Sequence, residues 1–139
     1  MPRPRGCCAA RRAAYSWPCA RLGVLPYFPL ASGLLTGKYE RGRPAPEGTR
    51  FAKAPALVDR YMTDANFAAV ERLQAFAAAR GRSLLELAFS WLAARPQVAS
   101  VIAGATRPEQ VEQNVKAVGW TPGADELAEI DRLSRADPG

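Results

Sequence analysis

Histidine does not occur among the 139 residues of the chain. Its absence removes any Ser-His or Cys-His nucleophile pair and any imidazole acid or base, leaving carboxylates, lysines and tyrosines for proton transfer. Cysteine is scarce and confined to Cys7, Cys8 and Cys19. An odd number with two adjacent members does not make a disulfide framework. A zinc site would need a fourth ligand that a chain without histidine supplies poorly, so no metal is expected. No apolar run approaches the ~20 residues of a membrane-spanning helix, which excludes membrane insertion by a helix. The G-x-G-x-x-G fingerprint is missing. The stretch Ser32 to Tyr39 departs from the P-loop pattern at its first glycine and at its final Ser or Thr.

What is present is a formal charge of +6, unevenly placed. Residues 1 to 60 carry a balance of +8, and residues 61 to 139 one of −2. Much of the excess comes from an opening stretch with Arg3, Arg5, Arg11, Arg12 and Arg21 and no acid. Arg11, Arg12 and Pro18 interrupt the apolar core a secretory signal needs, and Pro2, Pro4 and a single serine speak against a transit peptide. Aromatic interleaving is limited to Tyr15 and Trp17, so nucleic acid is not the expected partner. Residues 1 to 21 therefore read as an atypical basic segment outside the fold, and residues 22 to 136 as the folded part.

From Leu22 the texture is globular. Leu22 to Tyr27 is a short apolar run bounded by Pro26 and Pro29 and reads as a buried strand, followed by a long loop with Gly42, Pro44, Pro46, Gly48 and Pro55. Thr63 or Asp64 can cap a helix whose stripe is Phe67, Val70, Leu73 and Phe76, with Gly81 as its stop. Ser83 and Glu86 have capping-box spacing ahead of Leu84, Leu87, Ala88, Trp91 and Leu92, and Pro96 ends that second helix. Val98 to Ala103 reads as another strand. Thr106 and Glu109 open a helix with Pro108 in its first turn and Val111, Val115 and Val118 as its buried face. A last helix over about Ala124 to Arg135 buries Leu127, Ile130 and Leu133. Strand, loop, two helices, strand and two helices follow the rhythm of a parallel α/β fold.

Chemistry is most legible at Gly104 to Asn114. A helix start offers unpaired N–H groups and a positive dipole end to an anion; Thr106 adds a hydroxyl, Arg107 a fork of donors, and Gln110, Gln113 and Asn114 further polar groups. The same residues also describe an ordinary capped helix with solvated polar side chains.

Two stretches carry a family resemblance: Gly23-Val-Leu-Pro-Tyr-Phe-Pro-Leu-Ala-Ser-Gly-Leu-Leu-Thr-Gly-Lys-Tyr39 and Ser100-Val-Ile-Ala-Gly-Ala-Thr-Arg-Pro-Glu-Gln-Val-Glu-Gln-Asn114. They resemble the aldo-keto reductase family, and the likeness runs from about Leu22 to Ser134. It implies the C-terminal part of a (β/α)8 TIM barrel, strands 7 and 8 with their helices, an incomplete barrel whose open strand edges favour self-association. It further implies an NADP(H)-dependent oxidoreductase that interconverts small-molecule carbonyls and alcohols in the cytoplasm. Tyr27 takes the place of the aromatic residue stacked on the nicotinamide, and Leu30, Ser32 and Gly33 match the turn touching the pyrophosphate. Gly104, Thr106, Arg107, Gln110, Gln113 and Asn114 match the part gripping the adenosine end and its 2′-phosphate. The family's catalytic aspartate, tyrosine, lysine and histidine belong to the first half of the barrel, so no catalytic residue is carried over and this part is expected to be inactive alone. Phe28, where many members place a serine, and Ala103, often a proline, depart from the pattern. The family also resembles non-catalytic nucleotide-binding regulatory subunits, which is the alternative reading.

Overall fold

The computed structural model describes residues 23–135. The basic segment 1–21 and its cysteines lie outside the described residues.

Six helices make up about half of the described part: α1 (Arg50–Lys53), α2 (Pro55–Tyr61), α3 (Asp64–Ala78), α4 (Leu84–Ala93), α5 (Pro108–Lys116) and α6 (Ala124–Leu133), with 3-10 segments at Ala31–Thr36 and Ala117–Gly119. The start of α3 is fixed by Thr63, whose hydroxyl accepts the Asn66 N–H at 3.2 Å. Its end is a left-handed Gly81, φ 66°, with the Arg82 N–H returning to the Ala77 carbonyl at 3.0 Å. Helix α4 begins with the reciprocal pair the spacing predicts. The Ser83 hydroxyl accepts the Glu86 N–H at 3.2 Å, and the Glu86 carboxylate accepts the Ser83 N–H at 2.8 Å.

The core lies between α3, α4, α6 and the 31–61 region. Phe67, Val70, Leu73 and Ala77 of α3 meet Leu84 and Leu87 of α4 and Ile130 of α6. Each large side chain so enclosed contributes about 1.5–3 kcal/mol. The α3 and α4 stripes hold with local changes, while of the expected α6 stripe Ile130 is buried and Leu127 and Leu133 are half-buried. In α3, Ala77 rather than Phe76 is fully enclosed, because Phe76 lies under the Arg80 guanidinium at 3.5 Å. In α4, Phe89 and Ser90 are buried while Trp91 and Leu92 are half-buried.

The proline-rich stretch expected to be one long loop contains α1 and α2. Phe51 on α1, 1% exposed, stacks between Tyr39 at 4.6 Å and Tyr61 at 6.0 Å between ring centroids. Pro55, read as a breaker, occupies the first turn of α2, where a missing N–H is harmless.

The two expected strands require correction. The segments 23–26 and 98–105 form no strand ladder among the described residues and share an isolated parallel bridge, Val24 with Val98. The Val24 N–H donates to the Gln97 carbonyl at 2.7 Å and the Ala99 N–H to the Val24 carbonyl at 3.0 Å. The segments approach so closely that a side chain at Gly23 would meet the Ala99 Cβ at 2.8 Å. Neither segment pairs on its other side among the described residues, so no ladder propagates and the runs are not buried: Leu25 is 58% and Ile102 64% exposed. The same shortage of neighbours overturns the buried face of α5, where Val111, Val115 and Val118 are all exposed. A parallel sheet is enclosed on both faces only when strands and helices flank it. The described part is thus a mostly helical piece with the parallel contact of an α/β fold, not an assembled barrel.

Candidate functional site

The residues singled out from the sequence fall into two groups, one on the turn after Val24 and the other at the start of α5. The first is unusual in its backbone. Phe28, Ala31 and Ser32 have φ of 53°, 47° and 59°, and Gly33 follows at 96°. Three non-glycine residues in the left-handed region within five positions cost about 1–3 kcal/mol each, and such strain clusters where a ligand is held. Short turn bonds hold the conformation, with Ala31 N–H to Phe28 C=O and Gly33 N–H to Leu30 C=O both at 2.8 Å.

Tyr27 projects from this turn, 85% exposed, and stacks on Phe28 with ring centroids 4.1 Å apart. Tyr27 therefore does not pack in the core. Ser32 is buried, and its hydroxyl has no hydrogen-bond partner. A buried polar atom left unsatisfied costs about 1–3 kcal/mol, which a ligand oxygen could remove.

Two cations that the sequence reading left outside the site stand on this turn. The Lys38 ammonium passes so near Gly33 that a Cβ there would lie 3.0 Å from Nζ, and the Arg50 guanidinium lies over the Phe28 ring at 5.2 Å. Neither has an acidic partner among the described residues. Lys38 was visible in the Thr-Gly-Lys-Tyr stretch. Arg50 had no signal, because the helix that positions it was read as loop.

In the second group the helix opens differently from the expected capping box. Arg107 is the residue before α5, and no side chain caps the helix. Thr106 pairs with Gln110 instead of capping toward Glu109. The Gln110 Oε1 accepts the Thr106 N–H at 2.8 Å and its hydroxyl at 3.2 Å. Gly104, Thr106 and Arg107 are exposed, and the Arg107 guanidinium has no partner among the described residues. Gln113 is exposed on α5, and the half-buried Asn114 lines a groove of about 440 Å³ between α4, the segment 98–105 and α5. No hydrogen bond or ion pair joins the two groups among the described residues; the Val24–Val98 bridge is what links their segments.

Chemically, the first group offers an open aromatic face, a buried hydroxyl without a hydrogen-bond partner and two cations that have no acidic partner among the described residues. The second offers a helix start with an Arg107 that has no partner among the described residues. This donor set fits an elongated ligand with a planar ring and several anionic groups, as a dinucleotide has. No group of three or more acidic or cysteine residues that could hold a metal occurs among the described residues.

Comparison with known proteins shows the family of the chain. The Aldo/keto reductase family matches residues 19–135. L-glyceraldehyde 3-phosphate reductase of Escherichia coli K12 is 40% identical over 116 residues, which are 80% of this chain and 33% of that protein. A probable voltage-gated potassium channel subunit beta of Arabidopsis thaliana is 42% identical over 103 residues, 73% of this chain and 31% of that protein. Among solved structures, a glycerol dehydrogenase from Gluconobacter oxydans superposes with a TM-score of 0.65 at 30% identity, covering 84% of this chain and 36% of the other. The chain spans about a third of the length of these relatives. With the match extending over most of its residues, the chain belongs to the aldo/keto reductase family.

Proposed function

We propose that residues 22–136 are the cofactor-holding part of an NADP(H)-dependent oxidoreductase that reduces a carbonyl to an alcohol, residues 1–21 lying outside that part. The observation that carries the reading is the turn 27–33: left-handed backbone, an open Tyr27 face and a buried Ser32 hydroxyl without a partner. When bound, the cofactor supplies the hydride. Tyr27 offers the stacking face for its ring, while Leu30, Ser32 and Gly33 provide the turn against the pyrophosphate, with Lys38 and Arg50 as neutralising charges. Gly104 lets the backbone approach closely, and Thr106, Arg107, Gln110, Gln113 and Asn114 receive the adenosine end. The unpaired Arg107 favours a 2′-phosphate, and hence NADP over NAD. Residues 22–136 contribute the cofactor side of the site, and no catalytic proton donor is assigned among them. The substrate is a small carbonyl or alcohol and the setting cytoplasmic; among the described residues no helix is long and apolar enough to cross a membrane.

A second reading, a nucleotide-binding regulatory subunit, is favoured by the likeness to proteins named as potassium channel β subunits. Both readings are tested by titrating the purified chain with NADPH, followed by cofactor fluorescence, with NADH as control. Saturable binding that prefers NADPH supports the cofactor site; equal binding of both dinucleotides refutes the NADP preference, and absent binding of both refutes the site.

A further inference from the structure

Tyr27 and Phe28 are neighbours in sequence, and neighbouring side chains of an extended chain point to opposite sides. Here they stack instead, with ring centroids 4.1 Å apart and planes 24° from parallel. The cause lies in the backbone. Phe28 has a φ of 53°, a left-handed conformation rare for a bulky residue, and it breaks the alternation that would part the two rings. The turn behind it holds this conformation, since the Phe28 carbonyl accepts the Ala31 N–H at 2.8 Å.

The Phe28 ring has a second neighbour. The Arg50 guanidinium lies over it at 5.2 Å, within the range where the face of an aromatic ring attracts a cation. Arg50 comes from α1, whose place is set by the buried Phe51, and it has no acidic partner among the described residues. Without the ring, a long exposed arginine of this kind keeps most of its rotamer freedom, which a ligand must then remove on binding. Phe28 is half-buried and so is the more ordered of the three groups. Residue 28 is also where the chain departs from the family pattern, and the serine that many members carry there has no ring to stack on either neighbour.

We propose that Phe28 is a positioning residue of the nucleotide turn. Its ring gathers the Tyr27 face and the Arg50 charge into one cluster, so that the planar ring and the phosphates of a dinucleotide meet groups already in place. The proposal rests on the cofactor reading and adds to it a residue that acts through Tyr27 and Arg50. Because neither of these reads the 2′-phosphate, Phe28 serves NADPH and NADH alike.

The test compares two variants of the full chain: Phe28→Leu, which keeps apolar bulk without a flat ring, and Phe28→Tyr, which keeps the ring. Each is titrated with NADPH by fluorescence and with adenosine 2′-phosphate by calorimetry, the second ligand reporting on the Gly104 to Asn114 end alone. Phe28→Leu should weaken NADPH about three- to tenfold, the size of one stacked aromatic or cation contact, and Phe28→Tyr should restore the parent affinity. Adenosine 2′-phosphate should bind all three proteins equally. Arg50→Ala and the double variant with Phe28→Leu complete a cycle whose losses fall short of adding, since either change alone already breaks the shared contact. Unchanged NADPH binding by Phe28→Leu overturns the positioning role and leaves the cofactor reading standing. So does full additivity of the two losses, or an equal fall in affinity for adenosine 2′-phosphate, which marks a merely structural effect. Absence of NADPH binding by the parent chain is a different result, and it overturns the cofactor reading together with the role built on it.

Discussion

The side-chain oxygen of Gln110 accepts both the backbone N–H of Thr106, at 2.8 Å, and its hydroxyl, at 3.2 Å, so the entrance to α5 is closed by a residue of the helix itself. For a phosphate to use these donors, Gln110 must swing aside. Gln110→Glu tests this directly. A carboxylate in the same place is favoured by the helix N-terminus, by about 0.3–1 kcal/mol, and repels an anionic ligand. The expected outcome is an unchanged or slightly raised melting temperature with NADPH affinity reduced about tenfold or more. Tighter NADPH binding by the variant would show that the anion does not enter here.

Arg107 and Tyr27 are both exposed, so their removal should separate binding from folding. Arg107→Ala removes a charged hydrogen-bond donor, a loss of about 1.5–3 kcal/mol, and should weaken NADPH about 10- to 100-fold while leaving NADH nearly unaffected. Tyr27→Ala should weaken both dinucleotides alike, since stacking does not read the 2′-phosphate. Fluorescence titration of each variant gives the answer. An equal effect of Arg107→Ala on the two dinucleotides would remove the argument for NADP.

What the sequence made legible follows from where local rules decide. Thr63, Ser83 with Glu86, and Gly81 act within one turn of themselves, so the ends of α3 and the start of α4 were readable from spacing alone. Long-range pairing was not. Val98 to Ala103 has the composition of a buried strand, yet composition cannot supply the neighbouring strand that would make it one, and among the described residues it forms a single bridge, to Val24. The α1–α2 region was missed because its prolines were taken as breakers, although Pro55 sits at the one helix position that tolerates it. At the site, the turn around Ser32 was found by its resemblance to a family. The stack of Arg50 on Phe28 depends on a contact 22 residues apart that no spacing rule announces.

Phe51 holds the proline-rich region to the body of the domain. It is 1% exposed, between Tyr39 and Tyr61, on a helix of four residues that cannot persist by itself. Phe51→Ala should cost about 3–5 kcal/mol, seen as a lowered denaturation midpoint. Because α1 also carries Arg50, hydrogen exchange across residues 40–62 should speed up and NADPH affinity should fall with it. A variant with unaltered stability would mean that the aromatic cluster is not packed as described.

The carboxylates give a pH dependence whose sign is fixed by their partners. Glu86 is held below the ordinary carboxylate value first by the Ser83 N–H it accepts, then by the Ser83 hydroxyl and Arg82. Glu126 is lowered by Arg80 and the Gly123 N–H, and Glu129 by Arg132. A depressed folded-state pKa means stability that is present above the unfolded value, near 4.3, and lost as pH falls through the lower folded value. Melting temperature should therefore be flat near neutrality and decline below about pH 4.5. Glu86→Gln removes the largest charge in the α4 capping pair while keeping an acceptor for the Ser83 N–H. It should flatten part of that decline, whereas Ser83→Ala should lower stability by about 1 kcal/mol near neutrality by leaving the Glu86 N–H uncapped, with a smaller loss in acid, where the hydroxyl's bond to the ionised carboxylate no longer counts. Thermal melts of the three proteins between pH 3 and 7 compare the two effects. If Glu86→Gln reproduced the full acid decline of the parent chain, the loss would have to come from Glu126, Glu129 and the remaining carboxylates instead.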